Sequence, residues 1–224
     1  MHALPDARFS ALRFESDVLC RADLQAWGVA LPSSLGTAAI KRQGEFVGGR
    51  LSARRAIADL TGRAVTPGRD DEQLPEWPKG ITGSITHSRG LAAAVVATQP
   101  GTQSIGLDAE VMMSPERANR LASQILVESE HRWLEQLPRH TQGEFVTLVF
   151  SLKESLFKAL YPLVRRRFYF PDARLIEWSE DQGRVTIELL KPLSSNWPSG
   201  VRLVGQTTKI DDYLLTLIPI PGQS

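Results

Sequence analysis

Two carboxylates alternate along the segment Ile105-Gly106-Leu107-Asp108-Ala109-Glu110. In an extended strand Ile105, Leu107 and Ala109 point one way and Gly106, Asp108 and Glu110 the other, so both acids share a face. Carboxylates that close repel each other, and a shared cation relieves the repulsion; ligands that are all oxygen select Mg2+, Mn2+ or Ca2+. The same spacing also suits a solvated strand end. Glu154 and Lys158 form a second candidate pair, one helical turn apart within residues 143–160. They lie opposite a continuous apolar face of Phe145, Leu148, Val149, Leu152, Leu156, Ala159 and Leu160. Fully exposed, such a pair is an ordinary surface ion pair worth about 0.2–0.5 kcal/mol. Phe150 and Phe157 flank the Glu154 side, so that side is expected to be covered, which favours a site.

A third candidate is Gly83-Ser84-Ile85-Thr86-His87-Ser88-Arg89-Gly90, small and hydroxylated residues around a histidine just before an apolar strand. Read as a loop, it offers backbone N–H groups, hydroxyls and an imidazole to an anion. The basic stretch 41–69 strengthens that reading. It carries Lys41, Arg42, Arg50, Arg54, Arg55, Arg63 and Arg69 against Glu45 and Asp59, a local charge of +5. Arg50 and Arg54 are one turn apart, and a phosphate between them and His87 would account for the stretch, as would a solvated helix face. The whole chain carries only +1, so the rest sums to −4, and the near-neutral total is a cancellation between regions. A uniform field for nucleic acid or an anionic membrane is thereby excluded.

The elements that must position these groups follow from periodicity. A helix is expected over about 45–60, a Pro/Gly-rich surface loop over 62–80, strands over 91–98 and 104–111 with a turn at 99–102, and a helix beginning at Ser114-Pro115-Glu116. Helices then run to about 160, and strands follow near 184–190, 201–207 and 213–218. The pattern is α+β. There is no sequence repeat, no G-x-x-x-x-G-K-[ST], no G-x-G-x-x-G, no G-x-S-x-G and no H-E-x-x-H, so any phosphate is expected to be held by side chains. The single Cys20 cannot form an internal disulfide or a cysteine metal site. The polar N-terminal stretch lacks a secretory signal, and the apolar run 91–97 is far short of the roughly 20 residues of a membrane span. A cytoplasmic protein with no membrane and no nucleic-acid partner is the expectation.

In order along the chain stand Gly48-Gly49-Arg50, Trp77-Pro78 before Gly83-Ser84-Ile85-Thr86-His87, Gly106-Leu107-Asp108-Ala109-Glu110, and Phe150-Ser151-Leu152-Lys153-Glu154-Ser155-Leu156-Phe157-Lys158. Together they closely resemble the 4'-phosphopantetheinyl transferases, in particular the larger, surfactin-type class and its enterobactin-synthase branch. The likeness covers roughly residues 40–178. It implies a pseudo-dimer of two similar α+β halves, here 1–103 and 104–224, with the active site in the cleft between them. The implied reaction moves the 4'-phosphopantetheine arm of coenzyme A to a serine of an apo acyl or peptidyl carrier protein and releases 3',5'-ADP.

By the same resemblance Asp108, Glu110 and Glu154 would bind Mg2+, with Mn2+ as the alternative. Glu154, Lys158 and Asp108 would be catalytic, Lys158 holding the attacked phosphate and Glu154 accepting the serine proton directly or through water. Arg42, Arg50, Ser84, Thr86, His87, Lys153 and Lys158 would bind coenzyme A, the co-substrate. Where family members carry Lys or Arg two residues before the Pro that precedes the histidine segment, this chain has Gln73-Leu74-Pro75, with Lys79 as a candidate replacement. The run Arg165-Arg166-Arg167 before Phe168-Tyr169-Phe170 would lie near the substrate or an acidic carrier. Since one chain would hold both halves, a monomer is implied. Two other readings use the same residues: a Mg2+-dependent hydrolase of a coenzyme A-like diphosphate, and a non-catalytic module that binds coenzyme A or a carrier protein.

Overall fold

A computed structural model describes residues 6–15, 20–99 and 101–222; residues 1–5 of the N-terminal stretch, and Pro100 of the expected turn, lie outside them. The elements are β1 (Ala7–Arg13), α1 (Arg21–Ala26), α2 (Ile40–Thr61), β2 (Gly68–Arg69), β3 (Pro75–Glu76), β4 (Ile81–Ser88), β5 (Leu91–Thr98) and β6 (Thr102–Val111). After them come α3 (Pro115–Ile125), α4 (Glu128–Gln136), α5 (Arg139–Val164), β7 (Ala173–Ser179), β8 (Arg184–Leu189), β9 (Arg202–Ile210) and β10 (Tyr213–Pro221). Helix and sheet are thus mixed. Two compact units divide the chain, one reaching Ile105 and the other running from Gly106 to Ile220. Among the described residues no helix is long and apolar enough to cross a membrane.

The first unit holds an antiparallel sheet in the order β1-β5-β4 with α2 against it. Alanines at 92, 93, 94 and 97 make β5 thin, and Gly48 and Gly49 do the same for the facing side of α2. A Cβ on Gly48 would stand 3.0 Å from the Ala92 Cβ, and one on Gly49 would stand 2.6 Å from Ile85 Cγ2. Helix and sheet therefore approach closely, and the Ser52 hydroxyl donates across the contact to the Ala92 carbonyl at 3.1 Å. Gly62 ends α2 in the left-handed conformation, φ 75°, its N–H donating to the Ala58 carbonyl. The segment 83–90, expected as a loop, is mostly strand β4. Arg89 and Gly90, with φ of 37° and 86°, form the two-residue turn of a β4–β5 hairpin in which Ser88 pairs with Leu91. Alternate backbone N–H groups there enter the ladder instead of facing a ligand. Within the loop expected at 62–80 stands a short hairpin of β2 and β3.

In the second unit β6-β10-β9-β8-β7 form the sheet, and α5 is its central helix. All seven residues assigned to the apolar face of α5 are at most 1% exposed. Ser114 caps α3, its hydroxyl accepting from the Arg117 N–H, with Pro115 at the first helical position. Two glycines fix α5 against β6. A Cβ on Gly106 would lie 1.8 Å from the Ser155 carbonyl oxygen, and one on Gly143 would lie 2.1 Å from the Met113 carbonyl oxygen. From Gly106 to Met113 seven residues of extended chain cover about 23 Å, and from Gly143 to Ser155 twelve of helix cover about 18 Å, so the two contacts lay strand and helix antiparallel over a similar span. The Thr147 hydroxyl reinforces the second contact, accepting from the Met113 N–H at 2.9 Å.

Because any side chain at 106 must displace backbone rather than a flexible side chain, Gly106→Ala is expected to lower unfolding free energy by about 3 kcal/mol or more. Urea denaturation of the two proteins measures this; equal stability would show that β6 can lift from α5 without cost.

Candidate functional site

Gly106 and Asp108 lie on the same face of β6, so the close contact at Gly106 delivers Asp108 to the next turn of α5. Lys158 meets it there, donating 2.7 Å to Asp108 Oδ1 and 3.0 Å to the Leu107 carbonyl. Asp108 is only 4% exposed, whereas Ile105, Leu107 and Ala109 on the opposite face are fully buried, as the alternation requires. Glu154, one turn before Lys158, has its pKa raised, first by burial and then by the negative charge of Asp108, with Lys158 opposing. Two carboxylates that repel in a half-dry place, with oxygen donors only, have the chemistry of a hard-cation site. Among the described residues, however, no group of three His, Cys, Asp or Glu side chains stands together as a metal cluster; an ammonium is what faces Asp108. Glu110 is partly exposed at the end of the same strand face.

What covers the Glu154 side of α5 is aromatic, in line with the placement of Phe150 and Phe157. Phe150 packs on Phe170 at 5.4 Å between ring centroids, and Phe157 on Phe168 at 5.3 Å and on Tyr161 at 5.0 Å. A cavity of about 280 Å3 lies beside them, lined by Glu154, Phe157, Arg167, Phe168, Tyr169 and Phe170 among others. Arg165, Arg166 and Arg167 are exposed, as is Tyr169.

Lys153, expected among the coenzyme A ligands, is instead committed to the fold. Its ammonium is buried and donates to Glu130 Oε2 at 2.7 Å and to the Ile125 carbonyl at 2.8 Å. Glu130, completely buried, also accepts from the backbone N–H groups of Val127 and Leu175. The pair thus ties α5 to the start of α4 and to β7, and every polar contact it makes is internal. Removing one partner of such a pair costs about 3–5 kcal/mol, since the other charge stays buried. Ser151 and Ser155 are structural too, both hydrogen-bonded to Thr216 of β10.

In the first unit Arg42, Phe46 and Arg50 stand four residues apart along one face of α2. Arg42 Nη1 lies 3.3 Å from His87 Nε2, and Glu45 Oε2 lies 3.5 Å from Arg42 Nη1 and 3.7 Å from His87 Nδ1. The Arg50 guanidinium donates 3.0 Å to the Gly68 carbonyl and packs 5.0 Å from the centre of the Phe46 ring. Burial pushes its pKa down to about 10, with Arg69 contributing. Arg54, paired with Arg50 in the sequence reading, contributes no such effect; the second guanidinium at this place is Arg69. Strand alternation separates the other two candidates from His87. Ser84 and Thr86 are buried on the face of β4 opposite the one that carries Ile85 and His87 toward α2.

Comparison with known proteins gives the family of the chain. Residues 31–97 match the model of the 4'-phosphopantetheinyl transferase N-terminal domain, and residues 104–218 match that of the 4'-phosphopantetheinyl transferase superfamily. The chain is 34% identical over 188 residues to the 4'-phosphopantetheinyl transferase Npt of Nocardia iowensis, covering 80% of this chain and 82% of that one. The chain belongs to the 4'-phosphopantetheinyl transferase superfamily. It is also 36% identical over 155 residues to the 4'-phosphopantetheinyl transferase Svp of Streptomyces mobaraensis, covering 68% of this chain and 61% of the relative. With enterobactin synthase component D of Salmonella typhi it shares 38% identity over 125 residues, 56% of this chain and half (51%) of the relative. Asp108, Glu110, Glu154 and Lys158 all fall inside the region matched to the superfamily, and Arg42, Arg50 and His87 inside that matched to the N-terminal domain.

Sequence reasoning put Asp108, Glu154 and Lys158 in one candidate site, and the structure brings them together; it passed over the contacts that Phe46, Glu45 and Arg69 make with the candidate residues Arg42 and Arg50. The four-residue spacing of Arg42, Phe46 and Arg50 was a usable signal; Arg69 comes from a separate hairpin, and no local pattern joins it to α2. A glutamate whose pKa is higher in the fold than in the unfolded chain binds protons more tightly when native. Its contribution to stability is therefore full below the ordinary value of 4.5 and is lost as pH rises through the folded value. In chelator, Glu154→Gln is expected to gain stability over the parent as pH rises from 4 to 8, measured by urea midpoints; a difference independent of pH would contradict the raised pKa.

Proposed function

We propose that the chain transfers the 4'-phosphopantetheine arm of coenzyme A to a serine of an apo acyl or peptidyl carrier protein, releasing 3',5'-ADP. The observation that carries this reading is the cluster of Asp108, Glu154 and Lys158, which unites a strand and a helix within the superfamily match. Asp108, Glu110 and Glu154 are the residues that would hold Mg2+, or Mn2+ in its place. The ion would supply neutralisation of the diphosphate and of the charge developing on the leaving phosphate. Lys158, whose ammonium lies on Asp108 Oδ1, would hold the phosphate under attack. Glu154 would take the serine proton, directly or through a water. The serine oxygen then bonds to the pantetheine-side phosphorus, and the bond to the departing nucleotide phosphate breaks.

Arg42, Arg50 and His87 face the phosphates of the nucleotide end in this reading. The pseudo-dimer of two similar halves with coenzyme A held between them is part of the same proposal, as are action on its own as a monomer and a cytoplasmic setting. The relatives named enterobactin synthase component D favour carriers of siderophore-type peptide synthesis. The exposed Arg165-Arg166-Arg167 run would meet an acidic carrier surface.

Incubation with coenzyme A, Mg2+ and a panel of apo carrier proteins, followed by intact mass, tests the proposal. One phosphopantetheine should be added per carrier. Asp108→Ala and Lys158→Ala should each slow transfer by at least about a hundredfold with an unchanged circular dichroism spectrum. Release of 3',5'-ADP with no carrier modified would mean that water is the acceptor and that the chain is a hydrolase.

A further inference from the structure

The chain that leaves α5 presents one large aromatic side chain to solvent. Tyr169 is 70% exposed, more than any other large hydrophobic among the described residues, while Phe168 and Phe170 on either side of it pack on Phe157 and Phe150. Its φ of −129° and ψ of 169° are those of extended chain, in which neighbours point to opposite sides, so packing the two phenylalanines turns Tyr169 outward. A single exposed aromatic is ordinary on a protein surface. This one is held by its own backbone.

Both polar groups of Tyr169's backbone are engaged by one residue. The Tyr169 N–H donates 2.8 Å to Asp172 Oδ2, and the Tyr169 carbonyl accepts from the Asp172 N–H at 2.9 Å. Asp172, buried, is fixed in turn: Lys191 pairs with its Oδ1 at 2.6 Å, and the Leu190 N–H donates to its carbonyl at 2.7 Å. The segment is thereby tied to the chain just past β8. With the backbone set and only two side-chain torsions left, a tyrosine loses little freedom when a partner covers it.

Three guanidiniums stand beside the ring, for Arg165, Arg166 and Arg167 immediately precede the segment and are exposed. The Asp172 carboxylate, already engaged by Lys191 and the Tyr169 N–H, leaves that surface positive. Tyrosine and arginine are the residue types that carry much of the binding energy at protein interfaces, and a basic surface selects an acidic partner. Tyr169 also lines the same cavity as Glu154, so a protein resting on the ring brings its own surface up to that carboxylate.

We propose that Tyr169 anchors the carrier protein, packing against an apolar side chain next to the carrier's serine while the arginine run meets acidic side chains around it. Tyr169 is then a specificity-determining residue and Asp172 its positioning residue. The proposal rests on the transferase reading, which supplies the partner.

Anisotropy of fluorescently labelled apo acyl carrier proteins, titrated with the chain in the absence of coenzyme A and Mg2+, tests docking separately from transfer. Tyr169→Ala should weaken carrier binding about tenfold or more, and Tyr169→Phe, which keeps the ring, should bind within about twofold of the parent. Coenzyme A affinity, read by calorimetry, should differ by less than about twofold between Tyr169→Ala and the parent. Asp172→Ala should weaken carrier binding by a smaller factor, and by nothing further when Tyr169→Ala is already present, a coupling that a purely structural turn would not show. Raising the salt to about 0.5 M should weaken the parent's binding several-fold. Unchanged carrier affinity in Tyr169→Ala, a loss of coenzyme A affinity as large as the loss of carrier affinity, or binding indifferent to salt overturns the proposal. Should Asp172→Ala not fold, the alanine and phenylalanine variants of the exposed Tyr169 decide alone. A chain that binds carriers through Tyr169 but transfers nothing to them upholds the docking surface and refutes the transferase reading. A chain that binds no carrier of the panel refutes the docking surface, whatever transfer shows.

Discussion

Backbone lies directly on backbone where Gly106 of β6 crosses the turn of α5 at Ser155 to Ala159, and the proposed chemistry of the second unit depends on that contact. A methyl group there would occupy the space of a carbonyl oxygen. With the strand pressed onto the helix, residue 108, the next on the same strand face, arrives beside residues 154 and 158. The cost of bringing Asp108 and Glu154 together is met by Lys158 and by the distant anchors, Gly143 on Met113 and the two serines on Thr216. Orientation of this kind is the part of catalysis that a fold can supply before any ligand arrives.

The segment from Phe150 to Lys158 shows how one helix divides its labour by face. Ser151 and Ser155 fasten it to β10, Lys153 fastens it through Glu130 to α4 and β7, and Leu152 and Leu156 fill the core. Glu154 and Lys158 take no part in these anchors, and Phe157, packed on Phe168, lines the cavity with Glu154. The first unit uses the same device with different residues. Glycines at 48 and 49 against an alanine-rich strand bring α2 so near the sheet that Arg42 reaches His87 at the end of β4.

Much of this was legible because both periods were clean. The apolar face of α5, the alternation 105–110, the Ser114 cap and the bounds of β5 are local patterns, each fixed by the chain within a few residues. What could not be read is equally physical. β4 was taken for a loop because its small and hydroxylated residues carry little strand preference; pairing with β5 overrides that. Lys153 was assigned to a ligand because its partner, Glu130, is 23 residues away and no local pattern links them. Arg69 was counted as charge and nothing more, since a hairpin and a helix face meet only in three dimensions. The resemblance named the family, yet it could not separate the partly exposed lysine, Lys158, from the buried one, Lys153, in a string containing both.

The claim on which the account turns is that Asp108 and Glu154, brought together across the Gly106 contact, form the cation site that the transfer needs. Titrating Mn2+ into the 224-residue chain and following the electron paramagnetic resonance of the free ion measures that directly. The account predicts a bound ion in the parent, with affinity reduced about tenfold or more by Asp108→Asn at unchanged fold. Equal binding of Mn2+ by the parent and by Asp108→Asn would contradict it.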